Sequence, residues 1–106
     1  MIIRRKTRGT YLDFALDGTR LTLGHGALIL ELSDHQQDWP VQLDVCDEAD
    51  GRLVLGLGLR YAAQVDLPAR AFTIVKGKPD NMGFQQLSKV TEPLDPAHVS
   101  LTLWAL

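Results

Sequence analysis

The side chains able to carry proton transfer, nucleophilic attack or metal binding in this sequence are few and scattered. The histidines are His25, His35 and His98. No two share the two- or four-residue spacing that puts ligands on one side of a strand or helix. A zinc-type centre needs three or four converging ligands. The nearest local grouping is Asp34, His35 and Asp38, which would need His25 or His98 brought in from elsewhere. The expectation is therefore no metal and no cofactor. Cys46 has no histidine at a spacing that marks a nucleophile–base pair, and it reads as buried filler or an interface residue. Ser33, Ser88 and Ser100 lack a nucleophile-elbow context. Asp44, Glu48, Asp50 and Asp66 fall in expected turns or on outer strand faces, whereas paired acid chemistry needs two carboxylates about 5–10 Å apart across a cleft. The glycines of Leu55–Arg60 lack the G-x-x-G helix start of a dinucleotide site, and Gly77-Lys78-Pro79 lacks phosphate-loop spacing. No catalytic residue is assigned. An enzyme remains one alternative, with a site assembled from distant strands. Its mark would be a deep apolar pocket holding one of the histidines against Asp or Glu.

Binding residues are easier to nominate. Trp39 follows the polar loop 33–38, so Trp39, His35, Asp34, Asp38 and the more distant Tyr61 form a candidate ligand site. Together with Tyr11 they support a second alternative, a small-ligand or carbohydrate-binding domain. Trp104 and Leu106 lie off the apolar face of the last expected strand. Aromatic residues are enriched in the cores of protein interfaces, which nominates Trp104 and Leu106 with the basic pair Arg4 and Arg5 as an interface. The basic run 4–8 could touch phosphates. Its lack of interleaved aromatics and the negative net charge argue against nucleic acid.

The 106 residues carry a net charge of −2, and 45 % are hydrophobic. One β domain spanning 1–106 is the expected count, and the composition excludes a disordered chain. A lone cysteine excludes a disulfide scaffold. No apolar run approaches the roughly 18 residues of a membrane helix. The first residues lack the apolar stretch of a signal peptide, so a cytoplasmic location is expected. Charge is segregated. Residues 31–50 hold seven acidic side chains and no basic one, while 1–30 carry a balance of +3 and 51–106 of +2. Opposite-signed segments are suited to steering subunits together.

The elements that would position these residues are strands. Residues 52–67 alternate apolar and polar over sixteen positions, with Leu53, Leu55, Leu57, Leu59, Tyr61, Ala63, Val65 and Leu67 on one face. That length far exceeds the usual 5–6 residues, so one long bent strand is expected, shared between sheets or curling round a small barrel. Gly56 and Gly58 mark the bend or a close approach by another backbone. Asp17-Gly18 predicts a two-residue turn with Phe14 opposite Leu21. Ala49–Gly51 predicts a three-residue loop with Gly51 left-handed, setting Val45 opposite Leu55, Leu43 opposite Leu57 and Val41 opposite Leu59. Gly24-His25-Gly26 predicts a bulge or turn. Residues 2–3 suit a charged edge strand, 27–32 and 41–47 further strands, 70–76 a strand with Phe72 and Ile74 in the core, and 98–106 the last strand. Residues 77–83 read as a turn or exposed loop.

The pattern predicts an all-β fold: an antiparallel β-sandwich or a small partly open β-barrel of seven or eight short strands. The missing chemistry, the misplaced Trp104 and the charge segregation favour a non-catalytic protein-binding or assembly module. It is expected to form a homo-oligomer or to join a larger complex, with protein as partner and no membrane.

Overall fold

A computed structural model describes residues 1–106. Ten strands follow in chain order: β1 Ile2–Arg5, β2 Phe14–Asp17, β3 Arg20–Leu23, β4 Leu28–Glu31, β5 Val41–Asp47, β6 Leu53–Leu55, β7 Arg60–Leu67, β8 Phe72–Lys76, β9 Leu87–Thr91 and β10 Ser100–Leu103. One helical turn, α1 (Leu32–His35), follows β4. The strands form a five-stranded sheet in the order β1-β10-β7-β5-β6, a three-stranded sheet β2-β3-β4 and a two-stranded hairpin β8-β9. The all-β expectation holds. The two larger sheets share one core, in loose agreement with a sandwich, and no sheet closes into a barrel.

Leu21, Leu23, Leu30 and Leu32 of the smaller sheet and its helical turn meet Val45, Ala63, Val65, Leu67, Val99, Leu101 and Leu103 of the larger one. Alternation explains the choice: on each strand every second residue faces the other sheet. The basic edge strand lies where the sequence put it, with β1 parallel to β10 at one border of the sheet.

Three expectations of register change. The first hairpin turns at Gly18-Thr19, so Phe14 faces Leu23 and Leu16 faces Leu21. A type I′ turn at Asp17-Gly18 needs two left-handed residues. Here Gly18 alone has positive φ, at 60°, as in a turn with glycine at its first central position. The apolar face is kept because the register slides by an even step. The loop 49–51 forms as expected. Glu48 N–H donates to Arg52 O, Gly51 N–H to Glu48 O, Gly51 has φ 84°, and Val45 faces Leu55.

Beyond Leu55 the expected pairing stops. The sixteen-residue alternation is two strands, β6 and β7, in one sheet on opposite sides of β5. Leu43 and Val41 pair with Val65 and Leu67 of β7 rather than with Leu57 and Leu59. Residues 56–59 carry the chain across β5. A β-bulge at Val45/Cys46 then leaves Ala62 as the extra residue and sets Tyr61 opposite Cys46. The bulge resets the alternation, so Tyr61 faces away from the core side that Ala63 and Val65 share.

The hairpin differs most from expectation. Residues 72–91 supply nothing to the core, and Ile74, expected inside with Phe72, is exposed. Residues 87–91, unassigned in the sequence, form its second strand. Leu67 before the hairpin and Leu94 after it are both buried, so the chain leaves the body at one core residue and returns at another. The molecule measures 66 × 20 × 20 Å. No helix is long and apolar enough to cross a membrane.

Candidate functional site: an arm and the end opposite to it

The arm begins at a braced root. Arg70 N–H donates to Gln37 O at 2.8 Å, and its guanidinium reaches Gln36 O and Asp38 Oδ1, both at 2.9 Å. Gln36 Nε2 donates to Pro68 O, and Glu92 N–H to Ala71 O. The acidic loop after α1 therefore holds the arm's first residues, and Asp38 is taken up by Arg70.

Beyond the root, the strands pair from Phe72↔Thr91 to Lys76↔Leu87. Opposed residues share a face, so Phe72, Ile74 and Leu87 lie on one side with Lys76 and Lys89, and Val75 and Val90 on the other. Lys89 sits over the Phe72 ring, its Nζ 3.7 Å from the ring centre. At the tip, Asp80 Oδ1 accepts from the N–H groups of Met82 and Phe84 at 2.9 Å each. Asp80 N–H donates to Phe84 O, and Gly83, at φ 82°, donates to Asp80 O. This is the same three-residue loop that links β5 to β6. It fixes Met82 and Phe84 outward, 82 % and 65 % exposed. Within residues 72–91 the lysines Lys76, Lys78 and Lys89 face one carboxylate, Asp80, and none of them forms an ion pair.

A second apolar projection stands at the other end of β7. The crossover 56–59 lies so close over β5 that a Cβ on Gly58 would come within 2.7 Å of Cys46 Cβ and 2.8 Å of Glu48 Oε1. Gly56 N–H donates to Asp44 O at 2.7 Å and Leu59 N–H to Asp47 O at 3.1 Å, which ties both ends of the crossover to β5. Its leucines have nowhere inward to go: Leu57 is 84 % and Leu59 67 % exposed. Beside them Arg60 holds Asp47 at 2.9 Å. The Asp47 hydrogen bonds, and then its charge, raise the Arg60 pKa above its ordinary value. Arg52 likewise pairs with Asp50, which leaves Glu48 as the carboxylate without a cation there.

The sequence-nominated residues fall in separate places. Trp39 is exposed near the arm root, in the same stretch of chain as Asp34, His35 and Asp38. Tyr61 is six residues back along β7 from Leu67, the partner of Val41, so about 20 Å of strand separates it from Trp39. Those five residues do not converge. Trp104 is half-buried against Tyr61, with ring centres 5.3 Å apart on the outer face of the five-stranded sheet. Arg4 lies on that face, opposite Thr102, while Arg5 points the other way and stacks on Tyr11 at 5.6 Å. Leu106 N–H donates to Thr10 O, and its side chain is exposed. Cys46 is buried beneath Gly58.

Of the histidines, His98 sits 3.9 Å from Asp95, and His25, left-handed at φ 56°, sits 3.3 Å from Asp13. His25, Asp13, Arg5 and Tyr11 rim an open concavity of about 420 Å³ that holds no serine, threonine or cysteine. Elsewhere Glu31 accepts from Thr19 and Ser33. The Thr19 hydroxyl first, and the Ser33 hydroxyl second, hold its carboxyl below the usual carboxylate range.

Sequence reasoning missed both ends of this site. The arm was hidden because an isolated hairpin alternates just as a buried one does. Comparison of the chain with protein-family models, curated proteins and solved structures finds no match.

Proposed function

We propose that the protein is a non-catalytic assembly module that forms a homo-oligomer or takes its place in a larger complex, with the arm as its docking element. One observation carries this reading: a hairpin outside the core presents Ile74, Val75, Met82, Phe84, Leu87 and Val90 to solvent. A two-stranded hairpin is marginal alone in water and needs a further strand or a packing surface. Exposed apolar patches rimmed by polar residues mark interaction sites, and here lysines provide the rim. The weight thus moves from Trp104, which packs on Tyr61 of its own chain, to the arm.

The rival readings have less beneath them. A carbohydrate or small-ligand site rests on Trp39 alone, since Tyr61 is remote and Asp38 is paired. An enzyme rests on the solvent-open His25–Asp13 pair, whose side chains are 85 % and 51 % exposed.

The test is solution mass by light scattering over a concentration series at two salt concentrations, for the natural chain and for Ile74→Ser/Leu87→Ser. The natural chain is expected to exceed its 11.8 kDa monomer mass, and the arm variant to stay at it with an unchanged circular dichroism spectrum. A natural chain that remains monomeric throughout, or an arm variant that assembles equally well, overturns the reading.

A further inference from the structure

The arm and the leucine crossover lie at opposite ends of one strand. Leu57 and Leu59 immediately precede Arg60, where β7 begins, and the first strand of the arm starts five residues after Leu67, where β7 ends. The eight residues of β7 set these ends about 26 Å apart. Both ends are held from within: Asp80 and Gly83 brace the tip, and the Gly58 contact and two backbone hydrogen bonds brace the crossover. Neither apolar group can turn inward to cover itself. Their charges are complementary, since the arm carries Lys76 and Lys78 below its tip without an ion pair, and Glu48, beside the crossover at Gly58, has no cation.

We infer that the tip of the arm, Met82 and Phe84, docks on the Leu57/Leu59 crossover of a second copy of this chain, with Lys76 and Lys78 toward its Glu48. The inference rests on the assembly reading and names its partner and its geometry. Because the two surfaces differ, the contact is heterologous. Each copy offers a free arm at one end and a free crossover at the other, and copies add head to tail into a ring or a filament. The junction so formed has two distinct halves that substitution can disable separately.

A mixing experiment reads this directly. Met82→Ser/Phe84→Ser removes the arm half, and Leu57→Ser/Leu59→Ser removes the crossover half. All four side chains are exposed, so both variants are expected to keep the natural circular dichroism spectrum. Each variant alone is expected to run at monomer mass. Their equimolar mixture is expected to show a doubled mass and nothing larger, because the crossover variant still has an arm and the arm variant still has a crossover. If the crossover variant assembles like the natural chain while the arm variant does not, the head-to-tail junction is overturned and the arm's docking role stands. If both variants assemble like the natural chain, or if the mixture stays monomeric, the junction is overturned as well. The first of these results also removes the tip from the assembly reading.

Discussion

Gly58 is a packing requirement, which is a narrower demand than conformational freedom. Its φ lies outside the left-handed region, and the space for its missing side chain is filled by Cys46, Glu48 and Val54. Gly58→Ala must lift the crossover off β5, and overpacking of this kind costs about 1–3 kcal/mol. Urea denaturation should show that loss; a variant as stable as the natural protein would mean that the crossover lifts without penalty. The sequence offered this role, because close approach by another backbone is a usual reason for glycine inside a strand pattern. It did not show that the backbone doing the approaching is the glycine's own and that Cys46 is what it approaches. Tyr61 was misplaced for a related reason. Period-two reading assumes an unbroken ladder, and the extra Ala62 reverses the parity of Arg60 and Tyr61 within β7.

The arm is an element that draws no packing from the body beyond its root. Backbone hydrogen bonds join β8 to β9, yet no side chain of 72–91 enters the core. Amide exchange tracks local opening, so in dilute monomer residues 72–91 should exchange far faster than β5, β7 and β10, and should slow on assembly. Uniform protection at all concentrations would show that the hairpin needs no partner. Local elements were legible wherever turn chemistry decides. The 49–51 loop was read to its glycine, and β1 was placed as a charged edge. Partners of whole sheets were not legible. Alternation says that a strand has two faces, but nothing within Phe72–Lys76 says that neither face meets the body. Leu57 and Leu59 carry the same lesson, since they continue an apolar stripe after the chain has left its pairing with β5 to cross over it.

The whole molecule is extended well beyond its size class. A compact chain of this length has a radius of gyration near 13 Å, against 18.6 Å here. The accessible surface is 6,992 Å², about 1,100 Å² above the roughly 5,900 Å² that mass scaling gives. Replacing residues 72–91 by a short glycine turn should leave the body folded and bring the radius of gyration by small-angle scattering to roughly 12 Å. Loss of cooperative unfolding in that variant would mean that the arm supports the body after all. The place of β10 has a different reach. It lies between β1 and β7, and Leu101 and Leu103 on it are fully buried, yet it comes last in the chain. Ile2 finds its partner Ser100 only across nearly the whole length of the polypeptide. Such distant pairing is slow to form. During synthesis one side of β7 therefore stays open until residues 100–103 have left the ribosome, and a nascent chain stopped short of them leaves β1 without a neighbour and β7 with β5 alone.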